Sequence, residues 1–197
     1  MSRTQRTIII VVMILLLVIS SILILWFFPV CAQKQSGNWK SIQYDLGFLG
    51  IGVDLDNPIA LFDDKEYAIL SNEDDFVLLL QQLKSYSEYV YVDDRPVAND
   101  NCDWDALFQD IASSNLFSDD YNVLAVNVHE RYGGAAKFDA SLGSCYFRGN
   151  RAWVKVHTQE LAASTASFNG IVYLIPCPKG LSTVSVDIDR NVYRYDD

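Results

Sequence analysis

The sequence predicts an α+β fold: a largely antiparallel sheet with two helices packed on it, after a single N-terminal transmembrane helix. Three observations carry this. An uncharged apolar block, residues 7–28, lies near the start of the chain. Two stretches with helical spacing of apolar residues follow, at 71–85 and 103–114. Strand-like runs then succeed one another from Tyr121 to Asp189, joined by short turns. Helices grouped ahead of strands argue for α+β rather than alternating βαβ units.

The apolar block has only Thr7, Ser20 and Ser21 as polar members. As a helix rising about 1.5 Å per residue it is roughly 33 Å long, enough for a bilayer core. Arg3 and Arg6 precede it and no acid does. By the positive-inside rule residues 1–6 stay cytoplasmic and the remainder lies outside, a single-pass cell-membrane protein, with Trp26, Phe27 and Phe28 as an interfacial belt. A cleaved signal or a lipidated Cys31 are the other readings of the block, but it exceeds the length of a signal h-region and Phe28-Pro29-Val30 is bulky for a cleavage site. Residues 29–39 then form a linker and 40–197 one extracytoplasmic domain, long enough for its own core.

The chain's net charge is −10, and all 25 acids lie beyond the apolar block. Such a domain lacks the basic footprint of a nucleic-acid binder. Cys102, Cys145 and Cys177 allow at most one bridge among themselves, in any of three pairings. No CxxC or histidine-rich metal spacing is present, so no metal or cofactor is expected.

In chain order, 44–60 reads as loops with one short strand near 48–55. Asp54, Asp56, Asp63 and Asp64 lack the ligand ladder of a calcium loop. Residues 67–70 make a short strand. Ser71-Asn-Glu-Asp74 resembles a capping box, and Phe76, Leu79, Leu80 and Leu83 share one helix face. A strand at 89–92 precedes a loop, 93–100, with Pro96. Trp104, Leu107, Phe108 and Ile111 define the second helix. Tyr121 to Val128 is a buried strand ending on His129-Glu130-Arg131-Tyr132, and Gly133-Gly134 suits a tight turn. In 151–158 Ala152, Val154 and Val156 alternate with Trp153, Lys155 and His157. The run 171–175 reads as a central strand stopped by Pro176 and Pro178. Val184, Val186 and Ile188 alternate in 183–189, and 190–197 is a polar tail.

No catalytic signature is complete. His129 and Glu130 are successive strand residues and face opposite ways. An envelope hydrolase would need His129 or His157 to meet Cys145 or a carboxylate. Ala140-Ser-Leu-Gly-Ser-Cys145 is not a nucleophile elbow. A small-ligand or carbohydrate module would use exposed aromatics such as Trp153 and Tyr173. The tip His129, Glu130, Arg131, Tyr132, Gly133 and Gly134 is the candidate binding edge, where two glycines let a partner backbone approach the sheet.

Val123-Leu-Ala-Val-Asn-Val-His-Glu-Arg131, Tyr132-Gly-Gly134, 152–158, Val172-Tyr-Leu-Ile-Pro176 and Lys179-Gly180, led in by Tyr67-Ala-Ile-Leu-Ser-Asn-Glu-Asp-Asp-Phe76, together resemble the PrcB-like C-terminal domain family, over about residues 67–188. The family turn reads Thr-Gly-Gly-Tyr; here Tyr132 and Ala135 stand at its ends. The resemblance implies a non-enzymatic interaction domain that binds and stabilises a secreted protease or envelope protein, with no catalytic residues.

Overall fold

The computed structural model describes residues 3–27, 33–34, 39–46, 62, 65–92, 95–114, 116, 118, 121–129, 135–162 and 169–194. The apolar block lies in α1 (Arg3–Phe27), where the side chains from Ile10 to Ile19 are 45% to 63% exposed. Among the described residues no helix is long and apolar enough to cross a membrane. This overturns the expected transmembrane anchor at 7–28. The transmembrane part of the predicted fold class and the single-pass cell-membrane placement are corrected with it.

The rest is mixed α+β. After β1 (Gln33–Lys34) come β2 (Lys40–Asp45), β3 (Tyr67–Leu70), α2 (Glu73–Tyr86), β4 (Tyr89–Val92), β5 (Arg95–Ala98) and α3 (Trp104–Ser113). The chain closes with β6 (Tyr121–His129), β7 (Ala135–Arg148), β8 (Arg151–Ala162), β9 (Asn169–Pro178) and β10 (Thr183–Arg194). The strands form a six-stranded sheet, β3-β6-β9-β2-β4-β5, and a four-stranded sheet, β1-β7-β8-β10.

The six-stranded sheet has a core on each face. Val123, Ala125, Val172 and Leu174 join Phe76, Leu79, Leu83 and Ile111 of the helices. Leu124, Val126, Tyr173 and Ile175 join Phe147, Val154 and Val156 of the other sheet. Successive strand residues face opposite ways, so the uninterrupted apolar runs of β6 and β9 serve both cores.

The helices form where the 3.6-residue spacing predicts them, with one shift. The N-cap of α2 is Asn72, whose side chain accepts the Asp75 N–H at 3.0 Å. Asp75 in turn accepts the N–H of Ser71, the residue before the cap, at 2.6 Å, so the cap sits one residue later than Ser71 and the return bond reaches past it. Asp103 caps α3 by accepting the Ala106 N–H at 2.9 Å. Phe76 stacks on Phe108 with ring centroids 5.6 Å apart, joining the two helices.

Four strand readings change. Residues 40–45, whose last two fell in the stretch read as loops, are an inner strand between β9 and β4, with Ile42 and Tyr44 buried. The expected strand at 48–55 lies outside the described residues. Pro96 sits within β5, an edge strand that needs no donor on its open side. Pro176 and Pro178 do not stop β9, because β2 pairs only as far as Leu174 and, among the described residues, leaves that end of β9 joined to β6 alone.

The fourth change concerns β10, which continues to Arg194 and pairs in parallel with β8. The parallel direction follows from the turns. Gly149, at φ 56°, and Asn150 fold β7 into β8, and Gly180, at φ 85°, turns the chain out of β9. The N–H groups of Ser182 and Thr183 then donate to the Asn150 carbonyl at 2.9 and 3.1 Å. β10 thus starts where β8 starts and runs the same way.

Candidate functional site

The strand tip singled out in the sequence is described only at its base. Glu130, Arg131, Tyr132, Gly133 and Gly134 lie outside the described residues. His129 ends β6 opposite Gly170 of β9 and is half-buried. Its carbonyl accepts a hydrogen bond from Arg190 Nη1 of β10 at 2.7 Å, so the backbone acceptor at the base of the tip is occupied.

His157 lies elsewhere. It stands on the outer face of the four-stranded sheet, on β8, between Ser141 of β7 and Asp189 of β10 in register. Its Nδ1 is 3.1 Å from Asp189 Oδ2. The far edge of the ring lies over Gly143: a Cβ added there would be 2.7 Å from Cδ2 and Nε2. Gly143 falls at a register shift between β7 and β8, and such irregularities re-aim neighbouring side chains. One step along, Lys155 Nζ is 4.0 Å from Asp187 Oδ2. The sequence pattern set Trp153, Lys155 and His157 on one face. It held no sign of the acids opposite them, because those depend on the parallel partner.

The hydrolase pairing of His157 with Cys145 does not form, whereas the pairing of a histidine with a carboxylate is the His157–Asp189 contact at 3.1 Å. Cys145 points into the core between the sheets, and burial, with Cys177 nearby, pushes its thiol from 9.0 up to about 12. A thiol held protonated is a poor nucleophile, and it faces away from His157. Cys102, Cys145 and Cys177 are all free thiols. Tyr173, expected as an exposed ligand platform, is 2% exposed and belongs to the same core. Among the described residues no group of three His, Cys, Asp or Glu side chains is placed to hold a metal ion.

The open feature of this layer is β10 itself. Among the described residues its 12 residues pair with β8 on one side only, and it is the last strand of its sheet. Thr183, Ser185, Asp187, Asp189 and Asn191 are exposed along it, while Val184, Val186 and Ile188 pack toward the core. An unpaired edge of this length offers a row of backbone donors and acceptors. No family model, no characterised protein and no solved structure matches the chain.

Proposed function

We propose that this chain is a non-enzymatic protein-interaction domain that receives an extended segment of a partner along the outer edge of β10. The observation that carries the reading is the 12-residue strand that, among the described residues, is paired on one side only. Adding a strand to an open edge satisfies main-chain groups on both partners, and alternate side chains supply selectivity. The side chains beside this edge include Asp187 and Asp189, 73% and 49% exposed. With a chain charge of −10, they favour a segment bearing Lys or Arg at alternate positions. Arg190 is turned away into the His129 carbonyl and does not oppose that charge. The resemblance to the PrcB-like family supports the same class of role, with a protease as the partner it implies.

Photo-crosslinking tests this. A photoreactive residue at Ser185 or Asn191, in cells that naturally make the chain, should yield an adduct with one other protein. Asp187→Lys combined with Asp189→Lys should cut the yield roughly tenfold, as expected when charge complementarity becomes repulsion. Absence of any adduct, or an adduct indifferent to the charge reversal, refutes the proposal.

A further inference from the structure

The outer face of the four-stranded sheet is laid out in cross-strand rows, and one row breaks their pattern. Lys155 stands between Ser144 and Asp187, and His157 between Ser141 and Asp189. In both rows an acid of β10 meets the cation of β8, at 4.0 and 3.1 Å. Next to the β7–β8 turn, Arg148 stands opposite Arg151, and β10 supplies Thr183 in place of an acid. Phe147, Ala152 and Val184 face the core, so Arg148, Arg151 and Thr183 lie on the outer face with Lys155 and His157.

Two like charges directly opposite on neighbouring strands repel. Among the described residues neither guanidinium has an ion-pair partner, in a chain with 25 acids. Arg148 is half-buried, and its Nη1 is enclosed without an acceptor. Enclosing part of a charged group without a partner is costly, and an anion on its open side offsets that cost. A third cation comes to the same end of the molecule. Lys179 is exposed in the turn after β9, and the Ser182 N–H ties that turn to the Asn150 carbonyl at 2.9 Å. Lys179 also lacks an ion-pair partner among the described residues. Neither turn is closely covered: a Cβ added at Gly149 or Gly180 would meet nothing within 4 Å. A single carboxylate balances only one arginine. A phosphate monoester carries a charge of about −1.5 to −2 at neutral pH and accepts paired N–H bonds from guanidinium forks.

We propose that this end of the molecule binds a phosphate monoester between Arg148 and Arg151, with the Thr183 hydroxyl beside it and Lys179 adding charge. The site lies on the sheet face at the start of β10 and does not rest on the reading of its open edge. Calorimetry on the full chain with inorganic phosphate and with phenyl phosphate, in about 20 mM salt, tests it. Both should bind with a dissociation constant on the order of 1 mM or tighter, and acetate at least about tenfold more weakly. Arg148→Gln and Arg151→Gln should each weaken phosphate at least about tenfold, the loss of one charge-assisted fork, with circular dichroism confirming their fold. Lys155→Gln, on the same face but matched to Asp187, should bind phosphate as the parent does. Co-sedimentation with phosphatidylcholine vesicles, with and without phosphatidic acid, tells a lipid headgroup from a free ester, since apolar α1 contributes alike to both. Added capture by phosphatidic acid that Arg151→Gln loses assigns the headgroup; phosphate binding without it assigns the soluble ester. The proposal is overturned if neither phosphate nor phenyl phosphate binds at about 20 mM, if acetate binds as tightly, if Lys155→Gln loses binding as the arginine variants do, or if both arginine variants bind as the parent does.

Discussion

Gly170 shows how much a single position depends on its distant neighbours. Tyr44 is wholly buried, and its hydroxyl donates to Asn127 Oδ1 at 2.8 Å. The phenol lies on the backbone of Gly170, where an added Cβ would be 2.3 Å from the ring carbon and the hydroxyl oxygen. Gly170→Ala should therefore destabilise the fold by about 3 kcal/mol, at the upper end for overpacking. Tyr44→Phe should lose about 1–3 kcal/mol by leaving Asn127 without its donor in the core. Urea midpoints read both, and if Gly170→Ala proves neutral the ring does not lie where it is described. None of this was legible in the chain. Asn169-Gly170 has the residue types of a hairpin turn, and only the register of β2, β9 and β6 reveals that it lies inside a strand. The glycines that did attract notice, Gly133 and Gly134, advertise a turn through their sequence alone.

At the level of elements, local pattern and distant pairing separate cleanly. The two helices were legible because 3.6-residue spacing and caps are local: Phe76 to Leu83, Trp104 to Ile111, and an acid in each first turn. β8 was legible through the alternation of Ala152, Val154 and Val156 with Trp153, Lys155 and His157. β2, β5 and the far half of β10 were not, since two buried residues, a proline or a polar tail carry no strand signal until a neighbour pairs with them. The direction of β10 is likewise fixed by the Asn150 carbonyl, 33 residues from the Thr183 N–H it accepts. The cap of α2 supplies a test of the local half of this argument. Asn72→Ala should cost about 1 kcal/mol, while Ser71→Ala, the N-cap expected from the sequence, should cost less. Equal losses in thermal or urea unfolding would place the helix start one residue earlier than its hydrogen bonds do.

For the whole molecule, the six-stranded sheet is the shared wall of two cores, and its inner strands, with β7 of the facing sheet, hold ionisable groups that fold in uncharged form. Burial pushes Tyr173 from 10.0 up to about 12 and Cys177 from 9.0 up to about 12, and Cys145 rises likewise through burial and its neighbour Cys177. Tyr44 is also raised by burial, against the lowering effect of its bond to Asn127. The sign follows directly. Each group has a folded pKa above its unfolded value, so above pH 9 the unfolded chain releases protons that the folded chain keeps. Stability should be level with respect to these groups below pH 9 and fall as pH rises from 9 toward 12, by up to about 1.4 kcal/mol per pH unit for each group titrating. The two thiols act first and the tyrosines about one unit later. Urea midpoints between pH 7 and pH 11 under reducing conditions should show that fall, and Cys145→Ala with Cys177→Ala should flatten its first part while lowering stability at pH 7. A decline of the same steepness in the double variant would mean that the thiols are not the groups that resist charge at the contact between the sheets. Both cysteines join the cluster formed with Phe147, Val154 and Ile175, so alkaline pH should part the two sheets at the same contact that β10 closes at the edge.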